Sequence, residues 1–146
     1  MPTVAPIGSE AAVASDAATG AVAWKTKIEE HLDAIITGGA AYANGRLFVP
    51  VSSMEEGSAT IPAYQCCTFR GSVVAIDAAT GKQIWKTFTI PEAPQPTTRS
   101  SRGTQLHGPS GGGVWSTPAL DPARNRLYSA TGDAYSQPAA RTTDAI

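Results

Sequence analysis

An all-β chain is predicted, a partial β-propeller with about two blades of four-stranded antiparallel sheet, as a fragment of a larger ring. Three observations carry that prediction. The segment Val13–Thr26 returns as Val74–Thr87, identical at ten of 14 positions with a constant offset of 61 residues. Periods of this size belong to repeat architectures, whose units bury their apolar faces only against neighbours. Fourteen glycines and 11 prolines in 146 residues, with no sustained helical period, favour strands and turns. Finally, Asn44-Gly45 stands between two short apolar runs, the strongest local hairpin signal.

In chain order, Ala11–Ala14 reads as a strand entering the turn Asp16-Ala17-Ala18-Thr19-Gly20, and Val22–Trp24 begins the return strand. Asp and Thr side chains bond nearby backbone groups in such a turn, and Gly supplies a positive φ. Trp24 and its counterpart Trp85 are expected to fill the gap between adjacent sheets. Ala40–Val49 is a hairpin around Asn44-Gly45, echoed by Thr117–Ser129, where Arg126-Leu127-Tyr128 matches Arg46-Leu47-Phe48. Between the units, residues 91–113 are rich in Pro, Ser, Thr and Gly and read as a long loop. The expected organisation is one incomplete propeller segment over 1–146, with repeat units at about 11–72 and 73–146. A third copy of the repeat strand would begin near Thr142–Ile146. Such a fragment is expected to leave sheet edges and an inter-blade face open.

Net charge is −1, so nothing points to a nucleic-acid backbone or an anionic membrane as partner. No run of about 18 apolar residues suggests a membrane span. Met1–Pro6 lacks the basic and apolar regions of a signal peptide. His31 and His107 have no partner at metal-ligand spacing and read as loop or surface residues. Gly108–Gly113 lacks the Lys-Ser/Thr ending of a phosphate loop. Cys66 and Cys67 are adjacent, with Cα atoms about 3.8 Å apart across a trans peptide. A disulfide ordinarily needs roughly 4.4–6.8 Å, so bonding these two needs a strained ring, often with a twisted or cis peptide. Two buried thiols are the alternative.

The doubled pattern Ala-x-Asp-x-x-Thr-Gly-x-x-x-Trp resembles the tryptophan-docking repeat of quinoproteins, the propellers that bind pyrroloquinoline quinone (PQQ). Cys66–Asp77 and Gly108–Pro118, with Val114-Trp115-Ser116 inside it, are similar to the polyvinyl-alcohol dehydrogenase-like branch of the PQQ-dependent alcohol dehydrogenases. That resemblance implies oxidation of secondary alcohol groups, with electrons passed through PQQ to a cytochrome c. It implies bound Ca2+, an alcohol or polyol substrate, a periplasmic or secreted location and room for a haem c elsewhere in the parent. The isolated segment is expected to be inactive. The contrasting class is a non-catalytic propeller scaffold of the outer-membrane assembly type. A sugar or aldehyde oxidoreductase is a second enzymatic alternative.

Site residues follow from the same resemblance. Ser52-Ser53-Met54-Glu55 matches a Ser-x-x-Glu motif, which makes Glu55 a calcium ligand and Ser52 a cofactor contact. Trp115 matches the indole on which the quinone ring lies, Asp121-Pro122 follows six residues on, and Asp133 takes the second ligand position. Calcium favours six to eight hard oxygens, which carboxylates and a quinone's own oxygens can share. The vicinal pair Cys66–Cys67 is implied to be a disulfide at the cofactor, and Arg70 a bidentate partner for a quinone carboxylate. Bland readings stand beside these: a solvated loop carboxylate at Glu55, a turn residue at Asp133, core packing at Trp115 and outer surface at Arg70. The pattern usually has Asn at Asp133 and a hydroxyl residue at Gly113. Its general base comes from a later blade, so no catalytic base is assigned on this chain.

Overall fold

Alternation and turn chemistry produce a chain of small antiparallel sheets. The computed structural model describes residues 2–7 and 11–146. Strands β1 (Pro2–Ile7), β2 (Ala11–Asp16) and β3 (Val22–Lys27) form one sheet in that order. The second sheet runs β4 (Ala34–Ile35), β6 (Arg46–Ser53), β7 (Ser72–Asp77), β8 (Gln83–Phe88), with β5 (Ala41–Ala43) also paired to β6. β11 (Ala119–Asp121) and β12 (Arg126–Tyr128) make a hairpin beyond it. The predicted strands at Ala11–Ala14 and Val22–Trp24, the Asn44-Gly45 hairpin and the Thr117–Ser129 hairpin are present, whereas residues 142–146 form no strand. Asn44 and Gly45 both take positive φ, 50° and 74°, the geometry of a two-residue hairpin turn.

Residues 91–113, read as loop, contain a further hairpin of β9 (Gln95–Arg99) and β10 (Gln105–Gly108). β9 is exposed throughout and β10 is half-buried with Leu106 as its one large apolar residue, so neither carries an apolar alternation by which sequence could have announced it. Among the described residues the chain has one helix, α1 (Glu55–Ser58), a single turn that follows β6 directly.

The core lies where sheets face one another. β6 and β7 are central strands covered on both faces, so Val49, Val51, Val74, Ala75 and Ile76 are all buried at 2% exposure or less. Phe69, Ile28 and Ile36 close the cluster from the connecting segments.

The two repeat turns are the same to within 0.1 Å. Asp16 Oδ1 accepts from Thr19 N (2.8 Å), Thr19 Oγ1 (2.8 Å) and Ala18 N (3.1 Å). Asp77 Oδ1 accepts from Thr80 N, Thr80 Oγ1 and Ala79 N at the same three distances. The second turn is also the seat of Trp24. Trp24 Nε1 donates to Ala78 O (3.1 Å) and Thr26 Oγ1 to Gly81 O (2.6 Å), which joins the first sheet to the second. Gly81 has φ +74°, and a Cβ there would lie 2.6 Å from the Trp24 ring. This glycine is required twice, for its backbone angle and for the contact.

The Thr hydroxyls and backbone N–H groups hold both Asp carboxyls below their ordinary value of 3.8. A carboxyl lowered in the folded state stabilises above its unfolded pKa, and that contribution is lost as pH falls through the folded value. The repeat turns should therefore weaken only below about pH 4. Thermal melts from pH 7 to pH 3 should show this loss, and Asp77→Asn, which keeps an acceptor oxygen but cannot titrate, should flatten it. An unchanged acid slope in that variant would remove the turn from the account.

Candidate functional site

Three consecutive glycines position the site. Gly111, Gly112 and Gly113 run between the Arg70-Gly71 segment on one side and Asp133-Ala134 on the other. Gly71 N donates to Gly111 O (2.9 Å), Gly112 N to Asp133 O (2.8 Å) and Gly132 N to Gly113 O (2.8 Å). Thr89 Oγ1 bridges Gly71 O (3.0 Å) and Gly112 O (2.8 Å). A Cβ on Gly112 would lie 2.8 Å from Thr89 Oγ1 and one on Gly113 2.8 Å from Ser52 Oγ. A Cβ on Gly111 would overlap Asp133 O, so only a residue without a side chain lets these two backbones approach so closely. Their approach brings residues 52–56 and 132–135 to opposite sides of one depression.

That depression is a cavity of about 140 Å³ lined by Ser52, Ser53, Glu56, Gly113, Trp115, Asp133 and Tyr135, among others. Trp115 leaves 62% of its surface exposed at its wall, a large flat apolar area for a residue so close to a buried core. Tyr135 is stacked on Phe69 at 6.2 Å, and burial keeps its phenol protonated to higher pH than usual. Burial also raises the Glu56 carboxyl, and the negative charge of the neighbouring Asp133, which shares a hydrogen bond with it, adds to the effect. Two carboxylates in that relation favour a proton or a cation between them.

Ser52, Trp115 and Asp133 line this one cavity. Glu55 does not. β6 ends at Ser53 and the chain turns at once into α1, where successive side chains diverge by about 100°. Glu55 is therefore directed into the core with 0% exposure, while Glu56 faces Asp133. Glu55 Oε1 accepts from Tyr64 Oη (2.8 Å) and Thr68 N (2.7 Å), and Oε2 from Phe69 N (2.9 Å). Burial alone would raise this carboxyl, but hydrogen bonds from His31, Thr68, Phe69 and Tyr64 outweigh it and hold the pKa below the usual range. The expected meeting of Glu55 and Asp133 at one ion is corrected accordingly. Adjacency of two glutamates is the signal that could have warned of it, because on a helical turn the two side chains point about 100° apart.

Arg70 is also elsewhere. Its guanidinium lies 3.8 Å from the Phe88 ring and donates to Ile90 O (3.1 Å) and Pro91 O (2.9 Å), so it braces the β8 exit and not the cavity. Cys66 and Cys67 are joined as a disulfide across a cis peptide. They do not line the cavity; the pair is clipped to β10 through Cys67 N to His107 O (3.3 Å) and His107 N to Cys66 O (2.6 Å). Asp121 caps its own turn by accepting from Arg124 Nη1 (2.7 Å), away from the cavity. Among the described residues no group of three or more His, Cys, Asp or Glu is close enough to hold a metal, so the protein's carboxylates alone do not complete a calcium shell. Glu56, Asp133 and the Ser52 hydroxyl nonetheless present hard oxygens to one space, which fits a cation whose remaining ligands come from a bound molecule.

The profile of the family described as outer membrane protein assembly factor BamB matches residues 9–143. A polyvinylalcohol dehydrogenase of Pseudomonas sp. is 44% identical over 138 residues, covering 94% of this chain and 22% of that protein. A second, from Sphingopyxis sp., is 42% identical, with 94% of this chain and 21% of the relative covered. Among solved structures, a quinohemoprotein alcohol dehydrogenase from Pseudomonas putida superimposes with a TM-score of 0.67 over 92% of this chain and 20% of the other, at 24% identity. That level of identity shows the fold, and the fold is that of the quinoprotein β-propellers. The chain spans about a fifth of the length of these relatives. With the family's profile matched over nearly the whole chain, and with dehydrogenases among its relatives, this chain belongs to the quinoprotein-repeat propeller family described as outer membrane protein assembly factor BamB.

Proposed function

We propose that this chain is the segment of a PQQ-dependent alcohol dehydrogenase that supplies one wall of its cofactor site. The observation that carries the reading is the convergence of exposed Trp115 with Ser52, Glu56 and Asp133 around one cavity. When bound, the quinone supplies the two-electron oxidation of an alcohol to a carbonyl compound. The chain's own residues bind and orient. The Trp115 indole offers a flat apolar floor that excludes water from one face. Glu56 and Asp133 would hold a calcium ion, which would offset their mutual repulsion and supply Lewis-acid polarisation of a carbonyl. Gly113, without a side chain, leaves the Ser52 hydroxyl room to reach the same face.

The substrate is a secondary alcohol or polyol and the electron acceptor a cytochrome c, in keeping with relatives named polyvinylalcohol dehydrogenase and quinohemoprotein alcohol dehydrogenase. The parent acts in the periplasm or outside the cell, where the Cys66–Cys67 bond persists. No helix among the described residues is long and apolar enough to cross a membrane. The scaffold alternative predicts neither clustered carboxylates nor an exposed indole at this wall.

The full-length protein carrying this segment should reduce an artificial dye with a secondary alcohol only after loading with PQQ and calcium. Trp115→Ala should lower kcat/KM by about tenfold or more. Full activity without quinone would overturn the reading, and full activity in Trp115→Ala would remove the stacking role.

A further inference from the structure

We infer that Glu55 is a positioning residue that clamps the loop carrying the disulfide and so sets two walls of the cavity; this rests on the cavity being the cofactor site. Its carboxylate is fully buried and both oxygens are engaged by protein donors. Besides Tyr64, Thr68 and Phe69, the His31 Nε2 lies 3.4 Å from Oε1. His31 Nδ1 accepts from Asp33 N (3.2 Å), which leaves Nε2–H to face the carboxylate and Thr68 Oγ1 (3.0 Å). A cation could use Glu55 only by breaking these bonds and leaving Thr68 N and Phe69 N unpaired in the interior.

From Glu55 the effect reaches the cavity by two routes. Along the chain, α1 is held at its start by Met54 N to Asp33 O (2.8 Å) and at its end by Ser58 Oγ to Asp33 Oδ1 (2.9 Å). With the Glu55 side chain fixed inward, the next residue is directed at Asp133. Through space, the clamp on Phe69 N fixes the Phe69 ring, and Tyr135 stacks on it at 6.2 Å. The Ser-x-x-Glu glutamate of this chain is thus a loop anchor, and the following glutamate faces the ion.

Amide exchange and terbium luminescence on the metal-free 146-residue chain test this. The Thr68 and Phe69 amides should be protected in the wild type. Glu55→Gln presents an NH2 to one of them, which should then exchange about tenfold faster. With meta-fluorotyrosine incorporated, the Tyr135 resonance should move in Glu55→Gln and stay in place in Asp77→Asn, which alters only a distant turn. Terbium should bind wild type and Glu55→Gln within about threefold and Glu56→Gln at least tenfold more weakly. Unchanged exchange in Glu55→Gln, or loss of terbium binding in Glu55→Gln with retention in Glu56→Gln, overturns the inference. If no form binds terbium, the ion reading proposed above falls, and exchange with the Tyr135 resonance still decides the clamp. Should Glu55→Gln not fold, rapid exchange of both amides in the wild type would overturn it, and slow exchange would uphold it.

Discussion

Gly71→Ala should prevent this chain from folding to its native structure or lower its stability by at least about 3 kcal/mol. A Cβ at this position would overlap the Gly112 carbonyl and lie 2.8 Å from Gly113 Cα. Both are backbone atoms held by hydrogen bonds of their own residues, Gly112 O accepting from Thr89 Oγ1 and Gly113 O from Gly132 N, so neither can yield as a flexible side chain would. The added methyl must push the 111–113 segment away from Gly71, which breaks Gly71 N to Gly111 O and displaces Asp133 from the cavity. Urea denaturation monitored by circular dichroism checks this. A native-like midpoint in the Gly71→Ala protein would mean that the two backbones are not in contact. Gly57→Ala is the control, since its Cβ would meet nothing within 4 Å.

Trp24→Ala should cost about 2–3 kcal/mol, below the roughly 3–5 kcal/mol for removing a fully buried aromatic residue because this one is only partly buried. In a chain of this size that corresponds to roughly 5–10 °C in Tm. The indole joins two sheets, resting on Gly81 and donating to Ala78 O, so its loss releases the first sheet from the second. Trp24→Phe keeps the apolar contact and loses only the hydrogen bond, worth about 1 kcal/mol. Trp85 stands in the same place in the repeat but borders a cavity of about 220 Å³ and packs on Phe48 at 5.9 Å. Trp85→Ala should therefore cost less than Trp24→Ala. Equal losses in the two variants would show that docking across sheets contributes nothing beyond local packing.

Much of the fold was legible in the chain because repeat turns are local. Asp16 and Asp77 fold back on their own next three residues, and Asn44-Gly45 needs only its own positive φ values. The site was legible in part. Trp115, Ser52 and Asp133 were proposed from the resemblance, and all three line one cavity. Arg70 does not, because a guanidinium three methylenes from its backbone finds a partner decided by packing, here Phe88 and two carbonyls. The β9–β10 hairpin lacked an apolar alternation to reveal it.

By itself the amino-acid sequence established the repeat, its turns and its strands, since each depends on neighbours within a few positions. Which of Glu55 and Glu56 enters the core was a tertiary decision. One helical turn after β6 rotates adjacent residues to different sides, and only the folded chain places the Thr68 and Phe69 amides where one carboxylate can receive both. The Gly111–Gly113 run carries the same lesson: three glycines in sequence announce freedom, and the backbones packed on either side turn that freedom into a fixed wall.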